Sequence, residues 1–219
     1  MKHNLRQQYD IIVIGAGPAG IAFIKTLQRK AFSGKILLIE RYNFPRDKVC
    51  GDGLSTLTLK LTHEIFPELH NQLPTQSFTK NFKIWFNEKQ FIAGTNLGSD
   101  LLPRETFDNM LFQTLPQSKE NLHIIQNANV SDITFPPNDP ARVEVQHTNE
   151  TITFYSDFIA GSDGANSIVR RKTGSTHNDC KIGSIRQYIQ GIPSTNDGQI
   201  FIIDNDCLGY FWILPFKKN

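Results

Sequence analysis

Long apolar runs are missing from this chain. None of its uninterrupted apolar stretches, such as residues 11–14 and 36–39, approaches the about 20 residues needed to span a bilayer. The basic N-terminus is followed by a run too short for a signal-peptide core, so any membrane contact would be peripheral. Cysteine is equally sparse. Cys50, Cys180 and Cys207 show no paired short spacing, which argues against a zinc site and a disulfide framework, implies no metal, and leaves a reducing cytoplasm as the expected compartment. Charge of one sign is lacking too: 23 basic against 21 acidic residues, net +2, gives no basic stripe for nucleic acid. No repeat or low-complexity segment is visible, and His63, His70 and His123 have no partners at ligand spacing. What remains is a globular composition, 39% apolar and 20% charged over 219 residues, enough for one large domain or one and a half ordinary ones.

Residues 10–40 read as one β-α-β unit. Two unbroken apolar runs, 11–14 and 36–39, suit buried parallel strands, and Phe23, Ile24, Leu27 and Ala31 recur between them at helical spacing. The turn carries Gly15-x-Gly17-x-x-Gly20, and Glu40 follows twenty positions later at the end of the second strand. Gly15 permits the tight turn, Gly17 lets backbone approach a pyrophosphate, and Gly20 lets helix pack on strand, while the helix N-terminus offers unpaired N–H groups. A carboxylate at position 40 accepts a ribose hydroxyl and repels a 2′-phosphate, which fits FAD or NAD better than NADP. This pattern in this context predicts a dinucleotide site.

Downstream, residues 41–55 form a polar loop with Ser55 as a helix cap, and Leu57, Leu61 and Ile65 predict a buried helix face ending at Pro67. Residues 80–86 and 90–93 predict a hairpin with Asn87, Glu88 and Lys89 as the turn, and 102–111 a helix with Phe107, Met110 and Leu111 on one face. Residues 122–125, 141–145 and 151–154 predict strands, with the proline-rich run 136–140 as a turn. Residues 157–171 read as a short strand, a glycine-rich turn and a helix start. Asp163 there is placed either to receive donors from a dinucleotide, with Gly164 leaving room, or to cap the helix.

Taken in order, these stretches resemble the glutathione-reductase-type flavoproteins of the p-hydroxybenzoate hydroxylase class and, within it, the geranylgeranyl reductase branch. GAGPAG with Glu40 is similar to the FAD fingerprint; residues 48–55, KVCGDGLS, resemble the branch's K-x-C-G-x-G-L-S loop. Arg104-x-x-Phe107-Asp108-x-x-Leu111 resembles its R-x-x-F-D-x-x-L helix, residues 161–171 the class's DG motif, and residues 209–215, GYFWILP, its G-Y-x-W-x-F-P segment with Leu214 in place of phenylalanine. The resemblance implies FAD as cofactor and NAD(P)H as donor. It implies FAD contacts from Gly15, Ala16, Gly17, Pro18, Ala19, Gly20, Glu40, Arg41, Cys50, Gly51, Asp52, Arg104, Val130 (by its backbone), Asp163 and Gly164. Cys50 would face the flavin, there to position substrate, relay a proton, or merely pack. Tyr210, Trp212 and Pro215 would border the substrate cavity, or form an ordinary strand face with Phe201 and Phe211.

The expected fold class is α/β: a Rossmann-like FAD-binding domain of glutathione-reductase type at 1–75 and 100–178, with an incomplete β-rich substrate domain at 76–99 and 179–219. Members of the branch carry a further G-D motif and helix beyond the segment matching 209–215, which hold the ribityl chain and flavin ring. Its lack before Asn219 leads to the expectation of an incomplete ring site, through truncation or completion by a second chain, with apolar faces at 200–203 and 210–214 unpartnered. Three functions follow: reduction of carbon–carbon double bonds of an isoprenoid or other apolar lipid; flavin-dependent monooxygenation or halogenation of an aromatic substrate, which the 210–215 spacing echoes; or a remnant that binds FAD without turnover.

Overall fold

The computed structural model describes residues 7–74, 77–79, 81–86, 89–93, 99–116, 120–175, 183–191, 197–203 and 209–216. Cys180, Cys207, Asn87 and Glu88 lie outside them. The chain divides into two compact units, one of residues 1–46 and 108–182, the other of 47–107 and 183–219.

In the first unit, β1 (Gln7–Ile14) lies between β2 (Ile36–Ile39) and the late strand β11 (Glu150–Gly161), all parallel, and β8 (Leu122–Ile125) extends the sheet beyond β2. The apolar runs explain this placement. Ile12, Val13, Leu37 and Leu38 are fully buried, and each such side chain stabilises the fold by about 1.5–3 kcal/mol. β10 (Ala141–His147) pairs antiparallel with the first half of β11 on one side and with the edge strand β9 (Ala128–Thr134) on the other. The second half of β11 runs beside β1, so a single 12-residue strand carries the chain from the meander to the glycine-rich turn.

Between β1 and β2, α1 (Pro18–Arg29) buries Gly20, Ile21 and Ile24. The periodicity predicts Phe23, Ile24, Leu27 and Ala31 on that face, but Phe23 is exposed and Ala31 lies past the helix with φ 54°. The phase is set by Gly20, where helix and turn touch; a Cβ there would meet the Gly15 carbonyl oxygen at 2.1 Å.

In the second unit, β3 (Gly53–Ser55), β4 (Ser77–Thr79) and β7 (Ser99–Leu101) make a small sheet with β7 central. Because β3 and β4 share this sheet, residues 47–75 and 100–107 group with the β-rich unit, whereas the sequence division assigns them to the nucleotide domain. Ser55 caps α2 (Thr56–Ile65), accepting from the Thr58 N–H as expected. The leucine face is corrected: Leu57 and Leu61 are exposed, and Thr62, Phe66 and Leu69 are buried. β5 (Phe82–Phe86) and β6 (Lys89–Ala93) form the predicted hairpin, although Lys89, expected in the turn, pairs with Phe86 as the first residue of β6, and β12 (Gly198–Ile203) and β13 (Gly209–Ile213) complete a sheet of order β13-β12-β5-β6. Helix α3 (Arg104–Gln113) begins in this unit and continues into the first, burying Phe107, Leu111 and Phe112. Last in the described chain order before β12, α4 (Ile168–Lys172) belongs to the first unit.

Candidate functional site

The glycine-rich turn is built by close approach. Gly15 has φ +98°, open to glycine but strained for other residues, and a Cβ on it would lie 2.5 Å from the Ser162 carbonyl oxygen. Ser162 clips the two turns together: its hydroxyl lies 2.9 Å from the Ile14 carbonyl oxygen and 2.6 Å from that of Gly15. Gly17 is the N-cap of α1, Pro18 its first residue, no side chain caps the helix, and its first turn holds no acidic residue. The positive end of the helix therefore keeps its backbone donors for an anionic ligand, and this bare N-terminus is what fits the residues to a pyrophosphate. Ala16 is fully buried beneath the turn, and Ala19 is exposed on it.

Glu40 sits where the sequence places it, but its carboxylate is already engaged. Oε2 accepts from the Ala16 N–H at 2.8 Å and Oε1 from the Tyr42 N–H at 3.1 Å, so the residue holds the turn and has its remaining lone pairs for a ribose hydroxyl. Arg46, not singled out by the sequence, joins it. Its guanidinium lies 3.5 Å from Glu40 and 3.0 Å from Asp108, a carboxylate with no exposure, and donates to the Ala16 carbonyl at 3.5 Å. Arg41 points elsewhere, exposed and 4.7 Å above the Tyr42 ring. Val130 is buried in β9 opposite Val145.

Asp163 follows Ser162 on the same turn. One oxygen accepts from the Ile168 and Val169 N–H groups at 2.6 and 3.4 Å, so the helix-capping role is present, while Gly164, φ +78°, leaves open space beside it. Ser167 adds the second cap through the Arg170 N–H.

In the second unit the loop at Cys50, Gly51 and Asp52 is held from three sides. Asp52 is buried with φ 58°. Its carboxylate accepts from Arg186 (3.2 Å to each oxygen), from the Tyr188 hydroxyl (2.8 Å) and from the Arg104 N–H (3.1 Å). Asp52 and the Arg104 backbone are thus joined directly, and the carboxylate is spent on protein donors. Arg186 also pairs with Asp47 and lies over the Tyr188 ring. Burial, then the hydrogen bond and charge of Asp52, push the Tyr188 hydroxyl up to about 12. Arg186 and Tyr188 sit in an irregular segment without a motif, so only long-range pairing reveals them.

Gly51 meets the predicted cavity segment: a Cβ on it would fall 2.1 Å from the Trp212 ring, so the indole occupies the space a side chain would need. Cys50, beside it, is a half-buried free thiol. Tyr210 and Trp212 are tilted against each other at 5.5 Å and half-exposed, and Pro215 is half-buried. Phe201 and Phe211 belong to the other face, stacked at 4.5 Å with Trp85 beyond. Among the described residues no group of His, Cys, Asp and Glu could hold a metal ion, and no helix is long and apolar enough to cross a membrane.

The chain belongs to the FAD binding domain family, which it matches over residues 8–196. It is 25% identical over 222 residues to digeranylgeranylglycerophospholipid reductase 1 of Methanococcoides burtonii, covering 98% of this chain and 53% of that protein. Its fold is similar to that of a geranylgeranyl bacteriochlorophyll reductase-like protein from Thermoplasma acidophilum, with TM-score 0.73, 20% identity, and coverage of 97% of this chain and 54% of the other. It is also similar to the flavin-dependent halogenase CmlS, with TM-score 0.70, 20% identity, and 98% and 40% coverage. The fold is thus an FAD-binding α/β fold, and the chain spans about half the length of the curated reductase it matches.

Proposed function

We propose that this chain is the nucleotide-binding part of an FAD-dependent oxidoreductase of glutathione-reductase type. In this reading it reduces carbon–carbon double bonds of an isoprenoid or other apolar lipid with NAD(P)H as donor. The first unit is read as the FAD domain and the second as bordering the substrate. The observation that carries the reductase reading is the packing of Gly51 under Trp212, which sets the residue after the Cys50 thiol against the half-exposed aromatic strand. Bound flavin supplies hydride transfer from a nicotinamide to an alkene carbon. The residues divide the remaining work. Gly15, Gly17 and the start of α1 bind the pyrophosphate, Glu40 the adenosine ribose, and Asp163 with Gly164 lies beside them. Cys50 orients the alkene or moves a proton at its Sγ, and Tyr210 and Trp212 exclude water around an apolar tail.

A flavin-dependent monooxygenase or halogenase is the second reading, favoured by the Tyr210-x-Trp212-x-Leu214-Pro215 spacing; the Cys50-Gly51 pair favours the reductase. The test is a stopped-flow comparison in a turnover-competent preparation of the relatives' length. Cys50→Ser is expected to keep its flavin and its reduction by NAD(P)H while reoxidation by a prenyl-lipid alkene slows about tenfold. Unchanged reoxidation would leave Cys50 a packing residue. Oxidation of an aromatic in place of alkene reduction would favour the second reading, and bound flavin without turnover on either substrate would leave a binding protein.

A further inference from the structure

Arg46 joins two carboxylates of different standing. Its guanidinium lies against the glycine-rich turn, 3.5 Å from the Ala16 carbonyl oxygen and 3.9 Å from where a side chain on Gly17 would begin. Glu40, one of its partners, touches the same turn through the Ala16 N–H. Asp108, the other, is the nearer at 3.0 Å and has no exposure. Beside the turn one guanidinium is therefore shared by two carboxylates. A lone arginine in that place would do the opposite, because a planar guanidinium is well suited to bind a phosphate.

We propose that Asp108, acting through Arg46, determines which adenosine the site accepts. Asp108 holds the guanidinium to itself and offsets its charge, so that Glu40 is left to turn away a 2′-phosphate. Asp108 is a positioning residue, and Arg46 is a phosphate receptor held closed. The inference rests on the FAD-binding reading of the turn and adds what enforces its selectivity. Without the Asp108 charge Arg46 loses its nearer partner, which admits a 2′-phosphorylated nucleotide.

The experiment measures displacement of FAD from the full chain by ADP-ribose and by 2′-phospho-ADP-ribose, and reads the ratio of the two affinities. The unmodified chain prefers ADP-ribose. Asp108→Asn narrows that preference by on the order of tenfold, the scale of one unit charge acting near a protein surface. Adding Arg46→Met to Asp108→Asn restores the preference, because the group that welcomes the phosphate is gone. A general loosening of the core would not be repaired by a second substitution in the same cluster, so this reversal separates selectivity from packing. If Asp108→Asn does not fold, Asp108→Ser and its combination with Arg46→Met put the same question. An unchanged ratio in folded Asp108→Asn, or failure of Arg46→Met to restore the ratio in either background, overturns the proposal. Absence of FAD binding by the unmodified chain overturns the reading beneath it instead.

Discussion

Each unit is pinned by one arginine shared between two carboxylates, yet the two clusters do different work. In the first, Arg46 is nearly buried between Glu40 and Asp108, and Glu40 hands the constraint to the Ala16 and Tyr42 N–H groups. Its members come from a strand end, a loop and a helix that are themselves packed on the sheet, so the cluster fixes a turn that regular structure already holds. In the second, Arg186 is shared by buried Asp52 and exposed Asp47, and Tyr188 adds a donor. Arg186 and Tyr188 lie in 183–191, a segment without regular structure, so side chains alone tie it to the Cys50-Gly51-Asp52 loop. A buried cluster backed by strands tolerates little change; a clamp on an irregular segment loosens by degrees.

The largest effect is expected where backbone meets backbone. In Gly20→Val the new Cβ would lie 2.1 Å from the Gly15 carbonyl oxygen and 2.5 Å from the Ser162 hydroxyl. Neither can retreat without breaking the contact between the two turns. Overpacking of this kind costs about 3 kcal/mol or more, and thermal unfolding of the variant should reveal a loss of that size together with loss of FAD binding. A variant with unchanged stability would mean that the turn is looser than the first cluster suggests.

Next in size is Asp52→Asn, which tolerates the positive φ but removes the charge that gathers Arg186, Tyr188 and the Arg104 N–H. Lost hydrogen bonds to a buried charge cost about 2 kcal/mol. Both tryptophans, Trp85 and Trp212, belong to the second unit, so intrinsic fluorescence reports on that unit alone. The expected outcome is a red-shifted emission and a stability lower by about that amount. Unchanged emission and stability would mean that the segment is held without the Asp52 charge.

What the sequence revealed and concealed follows from range. The β1-α1-β2 unit is local, its strands unbroken apolar runs and its turn marked by three glycines, so element type, order and the position of Glu40 are all readable. The buried face of α1 is not, because Gly20 sets the helix phase through a contact that hydropathy does not record. β9 escapes for a related reason: the register shift opposite residues 144 and 145 puts Val130 and Ile133 inward and breaks the alternation that marks a strand. Arg46, Asp108, Arg186 and Tyr188 are charged or polar residues whose meaning lies in partners far along the chain, 62 positions for Arg46 and Asp108 and 134 for Arg186 and Asp52. Asp108 is quoted within a helix motif, yet its motif gives no hint that it faces an arginine of the preceding loop.

The smallest effect is the sharpest test of the second cluster. Tyr188 donates to Asp52, and burial followed by that bond and charge raises its hydroxyl from 10.0 to about 12. A folded value above the unfolded one means that folding favours the neutral phenol. Its contribution is whole below pH 10 and is lost as pH rises through about 12. Because the ring is half-exposed, solvent screening keeps this contribution small. Tyr188→Phe removes the donor and the titration together, so the variant should be modestly less stable at neutral pH, by about 1 kcal/mol for one hydrogen bond. Denaturant unfolding of both proteins across the alkaline range should show the difference shrinking between pH 10 and 12, in step with the one share of tyrosinate absorbance by which the two proteins differ. No difference at neutral pH would mean that the ring's contact with Phe216, which Tyr188→Phe keeps, and not its hydroxyl on Asp52, holds the segment in place.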